Sequence, residues 1–522
     1  MVGTLDDPGA EVRPRHSALG TRRSALLATV VLAGVAVVAS GHIGSPDTWF
    51  QGNAGPYPVR VVVRLPGVVP GLGQIDMTVT GEGVERVTAQ PVIFDAGKEG
   101  SPPADVAKPV PGRPGTYHAE LWFMTPGSFS VNVEVTGSLG TGVVVVPVAA
   151  VPERQIGMDP WLGRVLLALG VFLFVGAVTI FGAAGSDGVT PPGQRPTPRS
   201  KRTGVLASVF GAGLLGVGLF GGRAWWVAVE QGYQAELYRP FSASAAVAVE
   251  NGGRMLRFSI TDSVWSTRRA ENRWERFSIS PLVPDHGKLM HLFLIRAGDQ
   301  AAFAHLHPVS TDSITFVASL GTLPGGTYTA YADVVHETGF PMTMVATVEV
   351  PAAGSDSALS DPDDAAFRGV PTGATFVLPD RSTVTWEQKP ESLLADHDAG
   401  LTFTVKEPDG TVARLAPYLG MPGHAVVHRT DGQVYIHLHP NGTISMVAQQ
   451  ALGGRQATDT VPGMLARRLA ADNAAISHGD HPMFDGTLTF PYAFPSPGQY
   501  RVWVQIRRGQ IIFTAPFDIA VK

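Results

Sequence analysis

Residues 421 to 440 read MPGHAVVHRTDGQVYIHLHP, and the Asp431-Gly432 pair in the middle decides how they fold. Asp-Gly between alternating residues is the strongest short-range signal for a two-residue β-hairpin loop. Counting outward from that loop pairs His428 with Tyr435, Val426 with His437 and His424 with His439. Residues opposed across an antiparallel pair lie on one side of the sheet, so His424, His428, His437 and His439 share a face. The other face is Ala425, Val427, Val434, Ile436 and Leu438, a core-facing set. Opposed Cβ atoms lie about 5 Å apart, a distance across which imidazoles can converge on one ion.

The word HLHP occurs once more, at 305 to 308, in PDHGKLMHLFLIRAGDQAAFAHLHP (284 to 308). There His291, His305 and His307 can share a face, with His286 upstream and His336, Met342 and Met344 in the following hairpin as further candidates. The later stretch adds Met421, Met446 and the cluster HGDHPM, which contains His478, His481 and Met483. Twelve of the fifteen histidines lie between 286 and 481, a bias that asks for a cause. Absence of cysteine excludes disulfides and thiolate ligands. Histidine with thioether then suits copper in an oxidising exterior, and histidine with carboxylate also suits zinc. The competing reading is structural: a strand histidine can bond a neighbouring carbonyl, a proline can end the strand, and methionine can fill core.

At 522 residues the chain has room for several domains, and Gly (61) with Pro (42) favours short strands joined by turns. One pattern appears three times: GTYHAELWFMTPGSFSVNVEVTGSLGTGVVVVPV (115 to 148), DSITFVASLGTLPGGTYTAYADVVHETGFPMTMVATVEV (312 to 350) and GTLTFPYAFPSPGQYRVWVQIRRGQIIFTAPFDIAV (486 to 521). In each, a strand meets a Pro/Gly turn, an aromatic residue enters the next strand, and a hairpin leads to a final strand. The expected fold is three all-β sandwiches of immunoglobulin-like or cupredoxin-like type, over 46–160, 230–352 and 369–522, with an acidic linker at 353–368.

Three uncharged stretches are long enough to cross a bilayer, giving expected transmembrane helices at 24–45, 161–186 and 203–229. Basic residues cluster before the first span and between the second and third. The positive-inside rule therefore puts 1–23 and 187–202 in the cytoplasm and the sandwiches outside the cell membrane. A rival reading makes 24–45 a cleaved signal peptide. The spans carry no ionisable residue at mid-depth, which argues against transport. Gly204, Ser208, Ala212 and Gly216 offer a small-residue stripe for the second span or for a membrane-protein partner. A net charge of −5 without a long basic run excludes the electrostatic footprint of a nucleic-acid binder.

The ending FPSPGQYRVWVQIRRGQIIFTAPFDIAV (494 to 521) resembles those of FixH-like and YtkA-like bacterial exterior domains, small membrane-tethered β-sandwiches. That family is associated with copper handling and oxidase assembly, similar in outline to CopC-type copper carriers, so the resemblance implies copper over zinc. It assigns no ligand to the HLHP hairpins. Three functions stay open: an exterior metal-binding protein for copper capture, delivery or metalloprotein assembly without turnover; a structural or interaction module of a membrane complex; and a metalloenzyme. Against the last, the nearest acids, Asp285 and Asp480, read as solvated turns, and no GxSxG nucleophile elbow is present.

Overall fold

Each of the three repeated endings folds as a long hairpin whose first strand starts at the turn glycine. The computed structural model of the chain describes residues 42–43, 47–250, 253–352, 358–387, 389–456, 458–459, 461–477 and 482–522. Among these the chain is mostly β-sheet, arranged as several sandwich-like pairs of sheets.

In the first sandwich, strands β1 (Asp47–Ala54), β2 (Tyr57–Arg64), β3 (Gly71–Val79) and β5 (Thr116–Phe123) form one sheet. Strands β4 (Val84–Ile93), β6 (Gly127–Gly137) and β7 (Gly140–Ala150) form the other. Strict alternation of buried and open positions along β3 reflects the period of two that a half-buried strand needs. A valine-rich core lies between the sheets.

The second sandwich has one sheet of β8 (Ala243–Glu250), β9 (Gly253–Ile260) and β12 (Thr315–Ser319). Its other sheet has β10 (His291–Arg296), β11 (Ala302–Leu306), β13 (Gly326–His336), β14 (Pro341–Val350) and β15 (Ala365–Arg368), ordered β14-β13-β10-β11-β15. The third has a sheet of β16 (Thr375–Val377), β17 (Thr383–Trp386), β18 (Leu401–Lys406) and β21 (Thr487–Phe490). Facing it is a sheet of β19 (His424–Arg429), β20 (Val434–Leu438), β22 (Gly498–Arg508) and β23 (Ile511–Val521), ordered β20-β19-β22-β23. The aromatic residue after each turn glycine pins the corner in the last two sandwiches. Tyr328 donates its hydroxyl to Pro324 O (2.8 Å) and Tyr500 to Ser496 O (2.7 Å), the local bond that fixes such corners in β-sandwiches.

The hairpin sheets of the second and third sandwiches pack against each other through the faces turned away from their own cores. Phe303 stacks on Trp503 (4.8 Å, 14°) and Tyr331 on Tyr435 (4.1 Å, 4°). The two stacks are equivalent positions exchanged between the sandwiches, so the interface has an approximate two-fold character. Arg501 donates to Asp299 O (3.1 Å) and Gln300 O (2.9 Å) across it.

The described residues contain two helices long and apolar enough to cross a membrane, α1 (Pro160–Asp187) and α2 (Pro198–Ala235), where three were expected. The expected span 24–45 lies outside the described residues, except for His42–Ile43, which form a short parallel strand against β20. Both helices start with proline at the first turn behind a capping side chain: Asp159 accepts from Trp161 N and Leu162 N, and Thr197 accepts from Ser200 N. α2 is longer than the expected 203–229. The first half of the small-residue stripe packs within the hairpin: a Cβ on Gly204 would lie 3.0 Å from Gly182 O, and Ser208 contacts Val178 O (3.5 Å), whereas a Cβ on Gly216 would meet nothing within 4 Å.

Two further differences bear on the site. The expected linker ends in β15, paired with β11, and its acids fold back onto the histidine face. Lys288 bonds Asp361 (2.6 Å) and Asp363 (3.0 Å), and Arg507 bonds Asp363 (2.9 Å), so neutralisation by opposite charges lets an acidic segment pack. Between β20 and β21 the chain forms α3 (Met446–Gly453) and α4 (Met464–Ser477), which the turn-rich composition hides. Val447, Ala448 and Ala451 of α3 and Leu465 and Leu469 of α4 pack on Val283 and Val335 of the second sandwich. Glu337 accepts from Gly463 N (2.6 Å) and Ala466 N (2.9 Å), capping α4.

Candidate metal centre

The hairpin count from Asp431-Gly432 places Val426 opposite His437 and His428 opposite Tyr435, and that register is present. In the second sandwich Phe293 opposes His305 and Leu292 opposes Leu306. Each sheet therefore carries three imidazoles at one end of its outer face. Because the outer faces meet, the two sets form one buried group between sandwiches.

His291, His305 and His307 make one triad and His424, His437 and His439 the other. Within each, one nitrogen per ring lies within 4.8 Å of the other two. Their geometries nearly coincide: ring separations are 5.4, 5.1 and 4.5 Å in the first triad and 5.3, 5.0 and 4.5 Å in the second. Across the interface the rings of His291 and His437 are 5.4 Å apart and those of His305 and His437 5.6 Å.

The sheets also orient each other's imidazoles. His305 Nδ1 lies 2.9 Å from Gln505 Oε1 and His437 Nδ1 3.6 Å from Asp333 Oδ2, so each ring is held by the opposite sandwich. Gln505 and Asp333 are themselves equivalent, standing beside His424 and His291 on the neighbouring strands. His307 Nδ1 meets Asp364 Oδ1 (3.1 Å) and His439 Nδ1 meets Ile444 O (2.9 Å). A ring so held presents its other nitrogen inward, as metal-ligating histidines do. The Nε2 atoms of His307 and His439 are buried and have no hydrogen-bond partner among the described residues.

Burial first, and neighbouring imidazoles second, hold His291, His305, His424 and His437 well below the ordinary histidine range. Burial lowers His439 to about 4. The rings are neutral at physiological pH, the state a metal requires. Burial also pushes the Asp333 carboxyl up to about 7, against the lowering effect of bonds from Thr343 and Tyr435. A cavity of about 200 Å3 opens beside the centre, reaching Asp285, His291, Asp333, His437 and His439 from the first sandwich's Val148, Ala149 and Val151.

The triads leave several expected ligands elsewhere. His428 shares the face but bonds Tyr331 OH (3.0 Å), at the aromatic end of the interface. His336 bonds Ser280 O (3.1 Å) and packs on Trp265 (5.6 Å), away from both triads. Met342 and Met344 are core side chains of the second sandwich. Met421 ends a tight turn paired with Tyr418, Met446 opens α3, and Met483 is exposed. His478 and His481 lie outside the described residues, as does Asp480. His286 does approach, 5.4 Å ring to ring from His439 and 5.6 Å from His424. Asp285, expected in a solvated turn, is buried and accepts from Val447 N (3.1 Å), because α3 covers it.

Sequence reasoning did not single out Asp333, Gln505, Asp364 or Tyr418. One signal for the first two exists: each is a polar residue five positions after the corner tyrosine, Tyr328 or Tyr500, within an otherwise largely apolar strand.

Residues 265–352 and 377–522, which hold both triads, match a domain of unknown function, DUF8832. No curated protein matches the chain. Among solved structures, the chain is similar to the Salmonella alpha-2-macroglobulin reacted with methylamine, at 9% identity and TM-score 0.18 over 92% of this chain and 24% of that one. Trypsin-activated alpha-2-macroglobulin from Escherichia coli gives 9% identity and TM-score 0.17, over 92% and 24%. Dimeric latent PorU from Porphyromonas gingivalis gives 8% identity and TM-score 0.13, over 91% and 34%. The chain thus spans a quarter to a third of these proteins, and similarity at this level carries no argument about function.

Proposed function

We propose that this chain is a membrane-anchored metal-binding protein that holds copper, or alternatively zinc, between its second and third sandwiches, for capture, delivery or metalloprotein assembly without catalytic turnover. The observation that carries the reading is the pair of matched three-histidine groups in one buried interface, with the inward Nε2 atoms of His307 and His439 unpartnered. Hydrogen bonding alone would leave those atoms at a cost of about 1–3 kcal/mol each. Neutral imidazoles favour copper among common divalent ions by intrinsic affinity, and three of them also suit zinc.

Membrane anchoring follows from α1 and α2, whose side chains, such as Phe172 (72% exposed) and Phe220 (77%), present apolar surface along the hairpin. Basic residues 195–202 at the helix connection favour placing that end in the cytoplasm and the sandwiches outside. Metal titration of the full chain in detergent tests the reading. Two ions per chain are expected, with one lost in His437→Asn and the other in His305→Asn. Absence of stoichiometric binding, or binding untouched by both substitutions together, refutes it and leaves the structural role.

A further inference from the structure

The approximate two-fold relation between the triads is broken in the turns that precede their first histidine strands. Both sandwiches lead into their first histidine strand through the same tight turn, Asp285-His286-Gly287-Lys288 and Tyr418-Leu419-Gly420-Met421, with reciprocal backbone bonds at the ends. Their central residues have positive φ in both: 52° and 80° at His286 and Gly287, 52° and 78° at Leu419 and Gly420. This is the mirror-type turn that takes glycine readily and other residues at a cost. The turn carbonyls play the same part, since Asp285 O meets His291 Nε2 (3.3 Å) and Tyr418 O meets His424 Nε2 (3.2 Å). Only the second sandwich, however, puts a carboxylate and an imidazole in the turn.

Asp285 and His286 form a third ligand group with His439, their ligand atoms within 4.8 Å of one another. The Nε2 atoms of His286 and His439 are both buried without a hydrogen-bond partner among the described residues. His439 Nδ1 is committed to Ile444 O, so only Nε2 is free, and the same atom must serve both this group and the triad with His424 and His437. One nitrogen cannot hold two ions at once. The cavity is lined by Asp285, by His437 and by the shared His439, and by neither His286 nor His424.

From this geometry we infer that Asp285, His286 and His439 form a receiving site, from which an ion entering through the cavity is handed to the His424/His437/His439 triad. The bonds from Asp285 and His286 break as those to His424 and His437 form, while His439 Nε2 stays bound. No electron moves, and the proton that His437 Nε2 donates to His424 Nδ1 shifts to His437 Nδ1, beside Asp333, as the triad closes on the ion. The inference rests on the metal-binding reading above and adds a direction to it.

Stopped-flow uptake of Cu2+ by the full chain in detergent tests it, comparing wild type with His286→Asn and Asp285→Asn. Asparagine tolerates the positive φ at 286 and can still accept from Val447 N at 285. Each variant should take up copper, and release it to a chelator, about tenfold or more slowly, with final copper content unchanged. Uptake at the wild-type rate in both variants overturns the inference. So does loss of one ion per chain at an unchanged rate, which would make the group a resident third site. Wild-type protein that retains no copper overturns the metal-binding reading itself, a result distinct from either.

Discussion

Lowering the pH of the metal-free protein from about 7.5 to about 5.5 should remove much of its stability. Seven buried imidazoles, His291, His305, His424, His437, His439, His336 and His428, are held below the ordinary value of 6.5, in every case first by burial. A folded pKa below the unfolded one means that the unfolded chain binds more protons. Stability is therefore complete above 6.5 and is lost as the pH falls below it. At pH ~5.5 each ring that stays neutral in the folded state gives up about 1.4 kcal/mol, so seven give up about 10 kcal/mol. Asp333 and Asp47, raised by burial to about 7 and about 6, act in the opposite sense. They take up protons in the folded state first, which returns about 3 kcal/mol over the same interval. The net loss of about 7 kcal/mol is comparable with the whole stability of a typical domain. Urea unfolding of the detergent-solubilised chain, followed by tryptophan emission at both pH values, measures it. Equal midpoints would refute the burial of neutral imidazoles.

Other perturbations probe the interface and its supports. Asp333→Leu and Gln505→Leu should each weaken metal binding about 10- to 100-fold by competition titration, since each removes the group that orients an imidazole of the opposite sandwich. Trp503→Ala removes a fully buried ring stacked on Phe303 and should cost about 3–5 kcal/mol in urea unfolding, with weaker metal binding as the sandwiches separate. Trp503→Phe should cost less than half of that. Tyr500→Phe deletes only the corner bond to Ser496 O and should cost about 1 kcal/mol, with metal affinity unchanged.

The sheet register was legible because one dipeptide, Asp431-Gly432, fixes the hairpin and every face assignment follows by parity. What parity cannot supply is the partner of the polar face. His424, His428, His437 and His439 read as one face that could gather one ion; in the fold they meet the equivalent face of another sandwich, and the six triad imidazoles come from both. Nothing local encodes that long-range pairing, although the exchanged stacks Phe303/Trp503 and Tyr331/Tyr435 explain it. Reading the chain locally misled at Asp285, taken for a solvated turn, because α3 covers it from a distant part of the sequence. It misled again at Asp361, Asp363 and Asp364, where acidic composition suggested a solvated linker but Lys288, Arg507 and His307 supply the partners.

X-ray absorption at the metal edge of the loaded full chain tests the central claim most directly. Three imidazole nitrogens per ion at about 2.0 Å, with no sulfur scatterer, is the result the paired triads predict. A thioether sulfur in the coordination sphere, or a single imidazole per ion, would contradict them.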